Sequence, residues 1–394
     1  MTFSTLAVIM AIALLGPLLA TPKRSPIPML VGELVAGVVV GKTGGRVLHP
    51  TNTTFTFLAD IGFALIMFVA GSHVPVRDPA VRRSLRAGAV RAAGVVAIAV
   101  GLGVAIASAF GTKHEALYAV LVASSSAALA LPLLDGVGVK PADALDTVAQ
   151  IAVADTLCIV ALPLAIEPSR AARAALGALA VAVAAVAVFV AFDRGERSGL
   201  RRRVHMLSEE RNFALELRIS LLALCALAAL ATRSHVSIML AGFSFGLVIA
   251  AVGEPRRLAR QVFGLTEGFF GPLFFVWIGA SLDLRALGHH PKFLLLGVSL
   301  GAAAVAAHAL MAFARQRPPL AVVSSAQLGV PIAAVTLGTQ RHLLQPGEPG
   351  ALLLGALLTI AAASFAATRA ATSVGAAEAG PETAGGHQMN APVQ

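Results

Sequence analysis

Asp155 is the residue of this sequence whose type and position could do chemistry. It lies near the middle of an apolar run from Ala144 to Ile166. A helix of about 20 residues crosses the roughly 30 Å hydrocarbon core of a bilayer, so the run predicts a transmembrane helix with Asp155 near its midpoint. An acid at that depth costs about 2.5–3.5 kcal/mol to insert and is typical of ion paths and proton relays. The position therefore favours an ion-binding carboxylate, and a neutral carboxyl hydrogen-bonded between helices is the alternative.

Two short segments resemble each other, and each places hydroxyl groups before a proline. Residues 125–132 read SSAALALP, and residues 324–331 read SSAQLGVP. A proline in a helix removes a backbone donor and obstructs the carbonyl four residues earlier, which favours a break. Helices broken at membrane depth line polar cavities, where free carbonyls and hydroxyls can bind ions. A pair of broken helices is therefore predicted, marked by Pro132, Ser324, Ser325 and Pro331, with plain proline kinks as the alternative.

Oxygen ligands for a monovalent cation are available close to these features. The candidate ion-binding residues are Asp155, Thr156, Ser124, Ser125, Ser126 and Gln327. A desolvated carboxylate binds a proton or a cation at the expense of the other, so competition at Asp155 predicts coupled exchange. Neither a cofactor nor a metal beyond the transported cation is expected, because Cys158 and Cys225 form no disulfide or metal pattern.

The elements that must hold these residues are apolar helices. The chain has 394 residues, of which 57% are hydrophobic and 13% charged, and its mean hydropathy is +0.83. These values exclude an ordinary soluble domain. The formal net charge of +10 does not indicate a nucleic-acid partner, because the basic residues lie between apolar runs. We expect an all-α polytopic membrane protein.

The apolar runs predict about thirteen transmembrane helices joined by short loops. These spans are numbered 1 to 13 and lie at about 3–20, 26–41, 56–72, 88–110, 115–134, 144–166, 172–192, 212–232, 236–252, 262–282, 292–314, 318–340 and 350–370. They predict one transmembrane domain over residues 1–370, and the Gly- and Glu-rich residues 371–394 are expected to form a disordered tail. Most loop Lys and Arg lie on one side if the N-terminus is outside, which places the C-terminus in the cytoplasm.

The two hydroxyl-rich segments belong to a longer internal repeat. Residues 30–41 align with residues 239–250, and LAD at Leu58 aligns with LTE at Leu265. Each aligned pair joins spans seven apart, so the two copies cross the membrane in opposite directions. Inverted-topology repeats of this kind are typical of secondary transporters, whose sites lie where the repeats meet.

Five segments of the chain, in order, carry a family resemblance: PMLVGELVAGVVVG, FLADIGFALIMFVAG, ASSSAALALPLL, QIAVADTLCIV and PLFFVWIGASLDLRAL. They resemble the cation:proton antiporter-2 family, the sodium/hydrogen exchanger-like group that includes glutathione-regulated potassium efflux antiporters. The resemblance implies a homodimer with two crossed broken helices beside an ion-binding aspartate, and a core bundle that moves against a dimerisation scaffold. Asp155 falls on the second acid of the family's Asp-Asp or Asn-Asp pair.

The chain departs from the family pattern in three places. Ala154 stands where the family has the first acid of the pair, and an uncharged stretch around Gln327 in span 12 replaces Arg-Gly-Glu. The glycine-acid ending of span 3 becomes Gly71, Ser72 and His73. With one carboxylate and no basic partner, we expect electroneutral exchange of one proton for one sodium or potassium ion. Too few residues follow Arg369 to form a nucleotide-binding regulatory domain, so none is expected.

Other ionisable residues in or near the spans have simpler interpretations. They are Glu33, Asp60, His73, Arg218, Glu267 and Asp283. Glu33 suits helix packing or an interfacial role at least as well as ion contact. Arg218 suits snorkelling to the interface, with neutralisation of one of the acids as the alternative, and the others suit solvated or exposed positions.

Two alternatives to exchange remain open. One is a sodium-coupled symporter of a small organic anion on a related fold, and the other is a relative that keeps the scaffold without transporting. An enzyme is not expected, since intramembrane aspartyl proteolysis needs a second facing acid. The expected partners are a monovalent cation, a proton, the lipid bilayer of the plasma (inner) membrane and a second copy of the chain.

Overall fold

A computed structural model of the protein describes residues 1–21, 29–74, 76–77, 79–136, 144–199, 206, 211, 213–234, 236–253, 256–289 and 291–378. Within these ranges the regular structure is helical and no strand occurs. Nine helices of this described part are long and apolar enough to cross a membrane, and two shorter apolar helices accompany them. The predicted all-α polytopic fold is confirmed, whereas the count of thirteen spans stays a prediction.

The helices are numbered in chain order. They are α1 (Phe3–Ala13), α2 (Leu15–Ala20), α3 (Met29–Val40), α4 (Thr53–Ser72), α5 (Pro79–Phe110), α6 (Glu115–Ala123), α7 (Ala127–Gly136), α8 (Leu145–Ile166), α9 (Ala171–Arg197), α10 (Leu215–Arg233), α11 (Ile238–Val252), α12 (Arg256–Leu265), α13 (Gly271–Ser281), α14 (Leu284–His289), α15 (Pro291–Ala309), α16 (Pro318–Val323), α17 (Gly329–Gln340) and α18 (Glu348–Glu378). A wide helical turn at Thr266–Phe270 joins α12 to α13, and a tight one at Leu310–Ala314 follows α15. Because α18 continues to Glu378, it extends into the predicted tail; residues 379–394 lie outside the described residues.

The helices pack in two groups. In the first, which we call the scaffold bundle, α3 packs on α13 and α4 packs on α11, with α1, α2, α9 and α10 around them. In the second, the core bundle, α5 packs on α6 and α8, and α15 to α17 pack on α18. Contacts of α8 with α9 and α11, and of α4 with α7, join the two bundles. Asp155 lies on α8 of the core bundle.

Glycines form the tight crossings inside the scaffold bundle, and they follow the internal repeat. A Cβ atom on Gly37 of α3 would collide with the carbonyl oxygen of Val276 in α13. A Cβ atom on Gly246 of α11, which aligns with Gly37, would collide with the carbonyl oxygen of Phe68 in α4. The two copies therefore make the same kind of backbone contact, each with a helix of the other copy.

Both hydroxyl-rich segments interrupt a helix, as predicted. Residues 124–126 separate α6 from α7, and residues 324–328 separate α16 from α17. The Ser124 hydroxyl donates to the Leu121 carbonyl at 2.9 Å, and the Ser324 hydroxyl donates to the Ala321 carbonyl at 2.7 Å. The Ser324 hydroxyl thus bonds a carbonyl at the end of its own helix, and the Ser124 hydroxyl shares the Leu121 carbonyl with the backbone N–H of Ser124.

The predicted role of the two prolines needs a correction, because neither lies in a break. Pro132 lies inside α7, and Pro331 lies in the first turn of α17. A proline is compatible with the first turn of a helix, where the backbone N–H has no partner within the helix. The serines, rather than the prolines, therefore occupy the interruptions.

The remaining ionisable residues of the spans are distributed over both surface and interior. Glu33 is 2% exposed and packs beside Gly16 of α2, in line with the helix-packing interpretation. Arg218, His73, Glu267 and Asp283 are exposed, and Asp60 is half-buried. None of these side chains belongs to the core bundle that carries Asp155.

Candidate functional site

The carboxylate of Asp155 lies at the start of a half-helix. Asp155 is 4% exposed, and its Oδ2 atom accepts a hydrogen bond of 3.1 Å from the backbone N–H of Ala127. Ala127 is the first residue of α7. The free N–H groups and the dipole of a helix make its N-terminus favourable for negative charge. The break in span 5 therefore supplies a hydrogen-bond partner for the buried carboxylate.

The two breaks touch each other through repeat-equivalent residues. The Ser125 hydroxyl donates to the backbone carbonyl of Ser324 at 2.7 Å, and both serines are at most 2% exposed. Ser125 and Ser324 are the first residues of the two aligned segments. A residue that contacts its own equivalent must lie close to the axis that relates the two repeats. The site is therefore built where the repeats meet, as expected for secondary transporters.

Gln150 is a polar residue of the site that the sequence analysis did not select. It lies on α8 with no exposed surface, and its Nε2 atom donates to the Ser324 hydroxyl at 3.4 Å. Its Oε1 atom is buried and has no hydrogen-bond partner among the residues that the structure describes. A buried carbonyl oxygen without a donor is costly, and a cation or water would satisfy it. The feature of the sequence that could have identified Gln150 was a polar side chain within the apolar run that contains Asp155.

His308 is a second residue that the sequence analysis missed. It lies on α15 with no exposed surface. Its Nδ1 atom is 2.9 Å from the Ala304 carbonyl, and its Nε2 atom is 3.3 Å from the Ser125 hydroxyl. A carbonyl only accepts, so the Nδ1 atom carries a proton. A histidine within the apolar span 11 was the signal that could have identified it.

The predicted ligand residues lie at different distances from this cluster. Ser124, Ser125, Ser126 and Gln327 belong to the breaks and are at most 4% exposed. The Nε2 atom of Gln327 is buried and has no partner in the described part of the chain, and its backbone N–H donates to the Thr359 hydroxyl at 3.3 Å. Thr156 differs, since its hydroxyl donates within α8 to the Ala152 carbonyl at 2.8 Å. The structure brings Asp155 and the serines of the breaks together and leaves Thr156 bonded to its own helix.

Charge in the site is confined to one carboxylate. Among the described residues, Asp155 makes no ion pair, and the residue that precedes it is the buried Ala154. The break in span 12 contains no ionisable side chain. A single buried acid beside the break that contains Ser124, Ser125 and Ser126 suits a desolvated monovalent ion.

The sequence of the chain matches a known family over almost its whole length. The family described as sodium/hydrogen exchanger, transmembrane, matches residues 10–366. The chain belongs to the sodium/hydrogen exchanger family. This membership identifies an integral membrane protein of a transporter family, and it confirms the resemblance to cation:proton antiporters.

Two curated relatives of the chain carry related names. A protein of Bacillus subtilis named as the Na(+)/H(+) antiporter YjbQ is 22% identical over 375 residues, which are 90% of the chain and 61% of the relative. The Na(+)/H(+) antiporter NhaS5 of Synechocystis is 28% identical over 284 residues, which are 70% of the chain and 39% of the relative. The chain thus spans about three fifths and two fifths of the lengths of these relatives.

The fold of the chain matches a solved structure. The sodium proton antiporter MjNhaP1 of Methanocaldococcus jannaschii is similar with a TM-score of 0.63 at 16% identity, over 94% of this chain and 97% of that one. The predicted fold class, a sodium/proton antiporter-like arrangement of helices, is confirmed by this match.

Proposed function

We propose that this chain is a secondary active antiporter that exchanges a monovalent cation, sodium or potassium, for protons across the membrane. The observation that carries the proposal is the position of Asp155, whose carboxylate meets the N-terminus of α7 beside the joined breaks of two repeat-related helices. Membership of the exchanger family supports it. The proposal contains no covalent step, and it requires no cofactor or enzyme activity.

The proposed reaction is competition for one binding place. A proton on Asp155 neutralises the carboxylate, while a cation bound there leaves no room for the proton, so the loaded site carries one ion or the other. The cation would replace its water with protein oxygens. Asp155 supplies one, the Oε1 atom of Gln150 is a buried oxygen without a partner, and the serines of the breaks supply hydroxyls and carbonyls.

The two bundles suit alternating access. The bond between Ser125 and Ser324 holds the two breaks together, so the site would move as a unit with the core bundle. The scaffold bundle, tightened by its glycine crossings, would stay fixed and form the contact with a second copy of the chain. We further propose that the protein lies in the plasma membrane with its N-terminus outside. Residues 1–370 would form the exchanger domain, and residues 371–394 would form a cytoplasmic tail.

The two alternative functions, a symporter and a scaffold that does not transport, fit the same observations less well. A symporter of organic anions needs basic groups at the broken helices, and the described residues of both breaks are serines, alanine, glutamine and leucine. A scaffold that no longer transports would not need a buried acid held at a helix terminus, since such an acid costs free energy.

Proteoliposomes with an imposed pH gradient test the proposal. Addition of sodium, potassium or lithium to separate samples should collapse the gradient for at least one cation. The variant Asp155→Asn should insert and fold but show no cation-induced proton flux. The matched control is Asp146→Asn on the same helix, where the side chain is 46% exposed and lies 3.5 Å from Arg91. Native flux in Asp155→Asn, or its loss in both variants, contradicts the assignment of Asp155.

A further inference from the structure

A polar cavity lies at the junction of α8 and α9, away from Asp155. Its volume is about 600 Å³, within the range of ordinary ligand pockets. Among the residues that the structure describes, three arginines and one glutamate line it: Glu167 and Arg170 from the loop between the helices, Arg173 from the first turn of α9, and Arg341 from the end of α17. The cavity therefore joins the helix of Asp155 to the helix that follows the second break.

The charges in this cavity do not balance. The Glu167 carboxylate accepts from Arg170 Nε at 3.0 Å and from Arg341 Nη1 at 3.3 Å. Both of its oxygens are thereby engaged. Arg173 makes no ion pair with any residue that the structure describes. One carboxylate facing three guanidinium groups leaves the cavity with excess positive charge, which favours an anion.

Topology does not account for these arginines. The loop between spans 6 and 7 and the loop between spans 12 and 13 both lie outside in the predicted orientation. The positive-inside rule explains basic residues of cytoplasmic loops and predicts few on the other side. A cluster of three on that side therefore calls for a separate reason.

The surface next to Arg173 indicates the kind of anion. From one turn beyond Arg173, α9 carries a stripe of exposed apolar side chains: Leu176 at 69%, Leu179 at 59%, Val183 at 61% and Val186 at 60%. Their spacing of three and four residues places them on one face of the helix. Such a face is solvated by acyl chains in a bilayer. An anion that sits at Arg173 with its apolar part along this stripe is a phospholipid.

We propose that the cavity binds the phosphate of an anionic phospholipid head group. Guanidinium groups bind phosphate oxygens through paired, charge-assisted hydrogen bonds, and basic pockets between transmembrane helices are suited to lipid head groups. Arg173 supplies the guanidinium that no carboxylate of the described residues engages, while Arg170 and Arg341 stay bonded to Glu167 and close the cavity. A head group with a net negative charge fits better than a zwitterionic one, whose own amine competes for the phosphate.

Binding of short-chain lipids to the purified full-length protein in detergent tests this proposal. Dihexanoyl phosphatidylglycerol should raise the thermal midpoint in a saturable way, and dihexanoyl phosphatidylcholine should have a much weaker effect. Arg173→Gln should weaken the affinity for phosphatidylglycerol by at least about tenfold. Arg173→Lys should keep part of the native affinity for phosphatidylglycerol. The matched control is Arg233→Gln, an exposed arginine at the end of α10 in another loop predicted to lie outside.

Equal effects of the two lipids would overturn the proposal. So would an unchanged affinity in Arg173→Gln or an equal loss in Arg233→Gln. Inorganic phosphate serves as the probe for a free anion, and binding as tight as that of phosphatidylglycerol would contradict a lipid site. The midpoints of both variants without lipid should match the native value, because Arg173 makes no ion pair in the described structure. If Arg173→Gln does not fold, the affinity of Arg173→Lys still decides, and native affinity in that variant counts against recognition by a guanidinium.

Discussion

The Ser125 hydroxyl donates a hydrogen bond of 2.7 Å to the carbonyl of Ser324, its own counterpart in the other copy of the internal repeat. This contact joins the two broken helices at the point where neither is helical. The contact also positions the hydrogen-bond donor of Asp155. That donor is the backbone N–H of Ala127, the first residue of the helix that follows Ser125 in the chain. Symmetry of the repeat and geometry of the site thus depend on the same few residues.

Bulk at the breaks should impair exchange. We expect Ser125→Val and Ser325→Val to lower cation-induced proton flux by roughly tenfold to a hundredfold. Overpacking a buried site costs about 1–3 kcal/mol, and loss of the Ser125 donor leaves the Ser324 carbonyl without it. Flux per molecule in proteoliposomes measures the effect. Ser299→Val is the control, since Ser299 lies in the unbroken α15 and is half-buried. Equal losses in all three variants would show ordinary helix packing instead of a site.

The acid and the breaks could be predicted from the sequence for physical reasons. A carboxylate in an apolar run is rare and costly, so Asp155 is conspicuous without any structure. The repeat of SSAALALP and SSAQLGVP located both interruptions, although the prolines were given a role that the serine hydroxyls have. Those hydroxyls bond back to carbonyls of their own helices, a choice that depends on rotamers and cannot be read from residue types.

Gln150 and His308 could not be predicted in the same way. Each contacts a residue more than 170 positions away in the chain: Gln150 bonds with Ser324, and His308 lies next to Ser125. A single glutamine or histidine in an apolar span is compatible with many packings. Only the crossing of the two breaks brings these side chains to the site, and the crossing is a property of the tertiary structure.

Gln150 should contribute to cation affinity. We expect Gln150→Ala to raise the cation concentration for half-maximal flux by about threefold to tenfold, because one buried oxygen is removed from the site. Maximal flux at saturating cation should change less. The matched control is Gln316→Ala. Gln316 is also buried with an unpartnered Oε1 atom, and its Nε2 atom bonds with Thr147 at 3.1 Å, so it resembles Gln150 except in contacting the breaks. An equal effect of the two variants would assign Gln150 to packing.

A buried carboxylate outside the site makes stability depend on pH. Glu348, at the start of α18, accepts 2.7 Å hydrogen bonds from Tyr118 and from Nδ1 of His114, which precedes α6. The hydrogen bond with Glu348 raises the pKa of His114 above its ordinary value of 6.5, against an opposing effect of burial. A raised pKa means that the stabilisation is fully present below about pH 6.5 and is lost as pH rises through the folded-state value.

The variant His114→Ala should therefore be less stable than the native protein in acid and closer to it in alkali. The difference in unfolding free energy should be about 1.5–3 kcal/mol at about pH 6, the range of hydrogen bonds to charged groups, and smaller at about pH 9. Thermal unfolding in detergent measures this difference at both pH values. His49→Ala replaces an exposed loop histidine and should leave the pH dependence unchanged. A difference that is constant with pH would contradict the role given to the charged form of His114.

Exchange should be electroneutral, with one proton moving for one monovalent cation. A lone Asp155 carries zero net charge when it holds either ion, and Ala154 beside it cannot titrate. The membrane potential then does little work on the cycle, compared with about 2.3 kcal/mol per 100 mV for a step that moves one full charge. His308 is the other ionisable side chain in contact with the breaks among the described residues. Its Nδ1 proton is donated to Ala304, and a doubly protonated ring would place a second buried charge near Ser125 with no carboxylate bonded to it.

A potassium and valinomycin potential imposed on proteoliposomes, with sodium as the substrate, tests this stoichiometry. Proton flux should be the same with and without the potential, both in the native protein and in His308→Gln. Proton flux in His308→Gln should be slower by a modest factor. The neutral amide still offers Ser125 a polar partner, but the geometry of that contact changes. Flux of the native protein that the potential accelerates or arrests would contradict one-for-one exchange. If that response disappears in His308→Gln, the second proton is carried by His308; if it persists, another group moves with Asp155.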